Sequence, residues 1–154
     1  MIKPLTRVWD AVLRPMMERP PRLQVGALCC RQQDGEMHVL LVTSRDTGRW
    51  IIPKGWPIDG KTASAAALQE AWEEAGVRRG RARPEAVGSY RYDKRLKYGL
   101  SVPVETLVFQ VAVDEMRDDF PEAQARQRKW TRPGEAANMV QEPELQHILR
   151  AMNR

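Results

Sequence analysis

Cysteine and histidine are scarce in this chain of 154 residues, which contains two of each. Cys29 and Cys30 are adjacent within an apolar stretch, where they offer neither a disulfide framework nor the spaced ligand pairs of a zinc site. A disulfide-stapled secreted scaffold and a cysteine-histidine zinc centre are therefore excluded. We expect two reduced cysteines in the core of a cytoplasmic protein.

Long apolar runs are also missing, and aromatic residues make up only 6% of the chain. No stretch approaches the roughly 20 apolar residues that span a bilayer, and the N-terminal region lacks the apolar core of a signal peptide. We therefore expect no membrane partner. The net charge of +5 favours an anionic partner. Among anionic partners, nucleic acid is disfavoured, because the sequence contains no RNA-binding or zinc-finger pattern.

The length fits one domain, for which we predict residues 23–154, after an N-terminal helix and proline-rich lead-in over residues 1–22. That helix is indicated by apolar residues at helical spacing before the first internal prolines, namely Leu5, Val8, Trp9, Val12 and Leu13. We expect it to dock on the domain by its apolar side. A dimer contact or a membrane-surface element is the alternative.

Runs of apolar and β-branched residues predict several strands. Residues 23–31 and 37–44 flank Gln33-Asp34-Gly35 as a hairpin, and residues 54–61 are predicted to form an ordered loop. Further strands are predicted at 87–92, 104–113 and 128–131, with a basic turn at 93–99, an irregular segment at 114–127, and two short helices near the C-terminus, the second opening with Pro143.

Residues 62–75 predict the long helix in the middle of the chain, with Thr62 as its N-cap and Gly76 as its C′ residue. At about 100° per residue, three glutamates and two small residues share one side of this helix: Glu70, Glu73, Glu74, Ala66 and Ala67. The opposite side carries Leu68, Ala71, Trp72 and Ala75. The pattern predicts one accessible acidic face and one buried face.

The three glutamates repel one another, at about 0.2–0.5 kcal/mol for each like-charged pair at i,i+3 or i,i+4. No lysine or arginine of the helix separates them. A bound cation would remove the repulsion, and carboxylate oxygens suit Mg²⁺ or Mn²⁺. We therefore predict a metal site at Glu70, Glu73 and Glu74, with a solvated acidic face as the alternative.

Residues 55–77 resemble the Nudix box, which reads Gly, five residues, Glu, seven residues and Arg-Glu-U-x-Glu-Glu-x-Gly-U, where U is a bulky aliphatic residue. The positions in register are Gly55, Glu70, Glu73, Glu74, Gly76 and Val77. Three positions depart from the box: Lys61 replaces its first Glu, Gln69 its Arg and Ala71 its aliphatic residue. The preceding stretch, Trp50-Ile51-Ile52-Pro53-Lys54, resembles the entry to the box in polyphosphate-cleaving branches.

The resemblance implies an α/β fold, a Nudix-type α/β/α sandwich around a mixed β-sheet in one domain. It also implies a pyrophosphohydrolase that cleaves a diphosphate linkage, a phosphorus-containing anhydride, with Mg²⁺ or Mn²⁺ as cofactor. Glu70 and Glu74 would be the first metal ligands, and Glu73 would complete the metal shell or accept a proton from the attacking water. The general base stays open among five carboxylates: Glu105, Glu115, Asp118, Asp119 and Glu122. A Nudix-fold module that binds without cleaving is the alternative.

Cations cluster before the box and in the predicted turn at 93–99. Together with Gly55 they are the predicted substrate-binding residues: Arg45, Arg49, Lys54, Lys94, Arg95 and Lys97. Converging arginines and lysines suit a small-molecule ligand with many phosphates. The spacing of Ser44-Arg45 from Trp50 also resembles the branch that cleaves diphosphoinositol polyphosphates and dinucleoside polyphosphates. Nucleoside triphosphates and nucleotide sugars stay open, as does a hairpin tip that is only solvated.

In the Nudix family, the Glu and Arg that this chain lacks are credited with bracing the metal-binding carboxylates. We hypothesise that Lys61 turns toward the carboxylates here. Gln69 would then serve as a hydrogen-bonding partner, and the two residues would orient Glu73 as the missing Arg would.

Overall fold

The computed structural model describes residues 20–152, so the predicted N-terminal helix lies outside the described residues. The described chain forms eight strands, three α-helices and a 3₁₀ turn at Lys97–Gly99. The strands are β1 (Arg22–Gln33), β2 (Glu36–Thr43), β3 (Trp50–Ile51), β4 (Lys54–Gly55), β5 (Val77–Ala82), β6 (Gly88–Arg95), β7 (Ser101–Met116) and β8 (Arg128–Thr131). The helices are α1 (Ala63–Ala75), α2 (Pro133–Met139) and α3 (Pro143–Ala151).

The strands form one mixed sheet, with β3, β2, β1, β7 and β5 as neighbours in that order. Strands β1 and β7 pair in parallel along most of their length, and the other pairings are antiparallel. Three strands pair beside this path: β4 with β1, β6 with β7 and β8 with β2. The predicted mixed sheet is confirmed.

Both faces of the sheet are covered, because side chains alternate along a strand. On β1, Val25, Ala27 and Cys29 face a core that includes four alanines of α1. Leu28 and Cys30 face the second core, which includes residues of α2 and α3. Helices on both sides of the sheet make an α/β/α sandwich, as expected.

The β1–β2 hairpin is confirmed and closes through a two-residue loop, Asp34-Gly35. Both loop residues have positive φ, 54° and 78°, as a type I′ turn requires. The predicted basic turn at 93–99 is shorter than expected, since β6 continues through Arg95 and pairs with Ser101. Lys94 and Arg95 are therefore strand residues, and β7 likewise extends into the segment predicted to be irregular.

Strand β5 was not predicted. Its sequence, VRRGRA, has arginines at three of six positions, and only Val77 is buried. An exposed edge strand of this kind lacks the apolar alternation by which strands are recognised. It pairs with β7 through two irregularities of register.

Helix α1 begins and ends as predicted. The Thr62 hydroxyl accepts a hydrogen bond from Ala65 N–H at 3.2 Å, and Gly76 adopts the left-handed conformation with φ of 77°. The predicted division of its faces is partly wrong: Ala71 and Ala75 are buried as predicted, but so are Ala66, Ala67 and Glu74, which were assigned to the accessible acidic face. The small residues let the helix pack closely on the sheet, and Glu74 is carried into that contact.

The other side of α1 is the outer one. Leu68 and Trp72 are only partly buried, and the Trp72 ring lies beneath the Arg78 guanidinium, 5.8 Å from it. Within residues 20–152, no helix has the length and apolar character needed to cross a membrane.

Candidate active site

Strand β4 places the start of the box against α1. Lys54 and Gly55 pair with Gly26 and Val25 of β1, which sets the Gly55 backbone beneath the helix. A Cβ atom added at Gly55 would lie 2.7 Å from Glu70 Oε2, a distance that real Cβ contacts do not reach. The Glu70 carboxylate therefore lies directly on the glycine backbone, and only glycine leaves room for it.

Glu74 is the most deeply buried of the three box carboxylates, at 6% exposure. Its Oε2 accepts a hydrogen bond from Lys54 N–H at 3.1 Å, and its Oε1 accepts one from Arg126 Nη2 at 2.9 Å. Both oxygens are thus satisfied within the protein. Removing one partner of a buried ion pair such as this costs about 3–5 kcal/mol.

Glu73 is held by its neighbour one turn earlier, since Gln69 Nε2 donates to Glu73 Oε1 at 3.2 Å. This contact agrees with the predicted role of Gln69. Lys61 is exposed and forms no ion pair within 4.0 Å in the part of the chain that the structure describes. No ion pair among the described residues therefore supports the hypothesis that Lys61 turns toward the carboxylates.

A fourth carboxylate, Glu122, comes from the segment between β7 and β8. Its backbone N–H donates to Glu73 O at 3.0 Å, and its Oε1 accepts from Arg126 Nη2 at 3.2 Å. Of the five late acidic candidates, it is the one whose backbone hydrogen-bonds to the box helix in the described residues. Three of the others are engaged elsewhere: Glu105 with Ser89, Glu115 with Arg79 and Asp118 with Arg128.

The carboxylates are close enough to perturb one another. The pKa of Glu70 is raised from 4.5 to about 7, first by burial and then by repulsion from Glu74, Glu73 and Glu122, while Arg126 acts to lower it. Burial also raises the pKa of Glu74, which Arg126 and the Lys54 N–H oppose. Four carboxylates thus share one largely buried arginine, Arg126, and the exposed Arg45.

These residues fit a hard divalent cation by donor chemistry and by charge. As positioned, no three His, Cys, Asp or Glu side chains among residues 20–152 converge on one metal-sized point. The reason is visible in the hydrogen bonds: Glu74 is directed to Lys54 N–H and Arg126, and Glu73 is directed to Gln69. Holding Mg²⁺ or Mn²⁺ therefore requires these side chains to turn toward a common ion.

The predicted substrate cations separate into three groups. Arg45 and Arg49 are paired, with Glu122 at 3.4 Å and with the buried carboxylate of Glu142 respectively. Arg49, just before β3, is thus held at the start of α3 by this ion pair, and its substrate-binding role stays a prediction. Arg95 and Lys97 are exposed at the tip of the β6–β7 hairpin.

Lys54 and Lys94 each lie over an aromatic ring. Lys54 Nζ is 5.1 Å from the centroid of the Tyr92 ring, and Lys94 Nζ is 5.2 Å from that of Trp56, which is 40% exposed. Burial lowers the pKa of Lys54 from 10.5 to about 8, although Glu74 raises it. Lys54 thus contacts Glu74 through its backbone N–H and Tyr92 of β6 through its side chain, and Lys94 lies on the same strand, β6.

Sequence reasoning missed Arg126 and Tyr92. Arg126 lies in a polar, irregular segment and meets Glu74 across 52 residues of chain, so no local pattern marks it. Tyr92 was assigned only to a strand, yet its hydroxyl donates to the buried Gln24 Oε1 at 2.6 Å and its ring lies beneath Lys54.

Comparison with known proteins agrees with this geometry. The family model described as NUDIX domain matches residues 20–152. The chain belongs to the NUDIX domain family. The expected Nudix membership is confirmed, and the match extends from β1 to the end of α3.

Relatives of known name include Nudix hydrolase 21, chloroplastic, from Arabidopsis thaliana, which is 33% identical over 119 residues. That alignment covers 76% of this chain and 57% of the plant protein, so the chain spans little more than half of that relative. Diphosphoinositol polyphosphate phosphohydrolase 3-alpha from Mus musculus is 28% identical over 120 residues, covering 77% of this chain and 68% of its own.

Solved structures show the same fold. The C. elegans Ap4A hydrolase superposes with a TM-score of 0.67 at 20% identity, over 87% of this chain and 97% of that one. The NUDIX domain of Shewanella oneidensis NrtR, complexed with ADP ribose, has a TM-score of 0.60 at 19% identity and covers 99% of both chains. Both likenesses concern the fold, which extends over most of this chain.

Proposed function

We propose that this Nudix chain is a metal-dependent phosphohydrolase that cleaves a diphosphate linkage in a polyphosphorylated small molecule. One observation carries the proposal: four carboxylates, Glu70, Glu73, Glu74 and Glu122, are close enough to perturb one another, and the arginines paired with them are the largely buried Arg126 and the exposed Arg45. Such an excess of partly buried negative charge favours a divalent cation. Names of hydrolases among the relatives point to the same activity.

Each residue of the cluster has a proposed role. Glu70, Glu73 and Glu74 would hold Mg²⁺ or Mn²⁺, which when bound neutralises phosphate oxygens and lowers the pKa of a bound water. Glu122 accepts the proton of the attacking water, whose oxygen bonds to phosphorus as the bridging oxygen leaves with the other phosphate. Glu122 is chosen because, among the five late candidates, it contacts the box helix.

The substrate class follows from the lysines. Lys54 lies beside the box, Lys94 follows on the adjacent hairpin, and Arg95 and Lys97 continue outward to its tip. A line of cations leading away from the carboxylates suits a ligand with several phosphates. We therefore favour diphosphoinositol polyphosphates or dinucleoside polyphosphates, classes that the names of the mouse relative and the C. elegans structure include.

A Nudix-fold module that binds polyphosphate without cleaving it is the second candidate. Two observations favour it: Lys61 and Gln69 stand at box positions of Glu and Arg, and three carboxylates do not converge on one point in the described chain. The NrtR domain, solved with ADP ribose, is a structural neighbour named for a bound ligand rather than for hydrolysis. Product release decides between the two candidates.

The test is a hydrolysis screen with Mg²⁺ across dinucleoside polyphosphates, inositol pyrophosphates, nucleotide sugars and nucleoside triphosphates, with products identified by mass. We expect release of a phosphate-containing product that stops on chelation and falls at least 100-fold in Glu70→Gln. Glu85→Gln, which changes an exposed carboxylate between β5 and β6, is the matched control and should retain wild-type rates. Binding of these compounds without product would establish the second candidate instead.

We also infer a reducing compartment, the cytoplasm. Cys29 and Cys30 are free and buried, and burial raises the pKa of both thiols, so that they stay protonated. Cys29 and Cys30 pack on opposite faces of β1, and this supports the interpretation of both as residues of the core.

A further inference from the structure

Helix α1 provides no cation of its own for its three glutamates. Gln69 stands where the Nudix box has arginine, and its neutral amide reaches only Glu73, at 3.2 Å. Glu74, although more deeply buried than Glu73, therefore receives no opposite charge from the helix. An uncompensated buried carboxylate is costly, so another part of the chain must supply the cation.

Arg126 supplies it from the segment before β8. Its Nη2 bridges Glu74 Oε1 at 2.9 Å and Glu122 Oε1 at 3.2 Å, while its Nη1 donates to Thr43 O at 2.9 Å. The side chain is 6% exposed. The guanidinium is thus fixed on one side by the end of β2 and on the other by two carboxylates.

The backbone next to Arg126 is equally constrained. Gln127 N–H donates to Thr43 Oγ1 at 2.9 Å, and Thr43 N–H donates to Gln127 O at 3.1 Å. Among the lysines and arginines of residues 20–152, Arg126 is the one with a side-chain nitrogen within 4.0 Å of a box carboxylate. Arg45 reaches Glu122 as well, but its side chain is 65% exposed.

We propose that Arg126 takes the place of the missing box arginine: it is a positioning residue that holds the Glu74 and Glu122 carboxylates together beside the box helix, from where they turn toward the divalent cation. This inference rests on the proposed function. It replaces Lys61 with Arg126 as the residue that braces the carboxylates. Glu74 keeps lone pairs for a cation, because an ionised carboxylate has about four acceptor sites and two are used here.

The test holds the charge constant. Arg126→Lys keeps the positive charge but loses the planar fork that joins Thr43 O to two carboxylates. Mn²⁺ binding is measured by electron paramagnetic resonance at a temperature at which circular dichroism shows each variant folded, and kcat and KM are measured at saturating Mn²⁺. We expect Mn²⁺ affinity and kcat to fall about 10- to 100-fold, the usual effect of losing a group that orients a metal ligand, with KM changed less than threefold.

The matched control is Arg128→Lys, two residues along the same segment. Arg128 also makes three hydrogen bonds, to Ala75 O, Arg117 O and Asp118, but none to a box carboxylate. This variant should lose stability and keep its Mn²⁺ affinity within threefold. Equal losses in both variants would make Arg126 a structural residue only and would overturn the proposal.

A second variant decides the question even if Arg126→Lys does not fold. Gln69→Arg restores the box arginine, and we expect no increase in kcat because Arg126 already fills the role. A tenfold increase in kcat would show that no residue of the wild type fills the role of the box arginine. If the wild type binds no Mn²⁺, the proposed function fails and this inference with it. If the wild type binds Mn²⁺ and Arg126→Lys matches it within threefold, only this inference fails.

Discussion

Gly55 and Glu70 are packed so closely that the carboxylate occupies the space of a side chain at residue 55. A Cβ atom there would lie 2.7 Å from Glu70 Oε2 and closer still to other atoms of the carboxyl group. Pairing of β4 with β1 fixes the position of Gly55, and packing of the buried face of α1 fixes the position of Glu70. The conformation of the box glycine is therefore less important here than its lack of a side chain.

Gly55→Ala should displace Glu70 from this position. We expect kcat to fall at least tenfold and stability to fall by about 1–3 kcal/mol, the usual cost of overpacking, measured by urea unfolding. In a Glu70→Ala background the clash is gone, so the second substitution should cost less than about 0.5 kcal/mol. An equal cost in both backgrounds would place the strain elsewhere.

Local signals account for the elements that sequence reasoning predicted correctly. The Thr62 cap acts on Ala65, and the Asp34-Gly35 turn joins adjacent strands, so each can be recognised within a few residues of sequence. The box carboxylates were found in the same way, because all three lie on one helix. The fold class followed from those elements and from the family resemblance.

The depth of the site could not be predicted, because it depends on which side of α1 meets the sheet. A helical projection places Glu74 on the acidic side, whereas close packing of Ala67 and Ala71 turns that residue inward. The contacts of Arg126 join residues 52 and 83 positions apart. Such contacts are products of tertiary packing, which no window of sequence contains.

Metal-free protein should become less stable as pH rises from about 4.5 to about 7. The pKa of Glu70 is raised from 4.5 to about 7 in the folded state, chiefly by burial, so in this range the folded state binds more protons than the unfolded state. The free energy of unfolding then falls with increasing pH, and the loss is complete above pH 7. Urea unfolding in a chelating buffer between pH 5 and 8 measures the slope.

Two comparisons isolate Glu70 in that experiment. Glu70→Gln should be more stable than the wild type at pH 8 and should show a flatter pH dependence, because the amide does not titrate. Saturating Mg²⁺ should restore the free energy of unfolding of the wild type at pH 8, because the cation relieves the repulsion among the carboxylates. Parallel pH curves for wild type and variant would show that Glu70 ionises normally.

Replacing Lys94, Arg95 and Lys97 by alanine should raise KM in proportion to substrate charge. We expect an increase of at least tenfold for a substrate with many phosphates and less than threefold for a simple diphosphate ester, since the lost attraction scales with ligand charge. Steady-state kinetics at two salt concentrations should show that the difference in KM between the wild type and the variant becomes smaller at high salt.

The control for the hairpin removes the same number of charges from β5, by Arg78→Ala, Arg79→Ala and Arg81→Ala. Arg79 and Arg81 are exposed and pair with carboxylates of β7. A similar increase of KM in both triple variants would assign the effect to net charge rather than to the hairpin.

Gln69 and Lys61 should act independently. Gln69 Nε2 holds Glu73 Oε1, whereas Lys61 is exposed and has no ion pair with any described residue. Gln69→Ala frees the Glu73 carboxylate to adopt other rotamers, and we expect kcat to fall about three- to tenfold, since a typical hydrogen bond contributes about 0.5–1.5 kcal/mol. Lys61→Ala should leave kcat/KM within twofold. In the double variant the two effects should add within about 0.5 kcal/mol, as they do for residues without shared partners. A coupling energy above that value in the cycle on kcat/KM would show that the lysine turns toward the carboxylates during turnover and braces Glu73 together with Gln69.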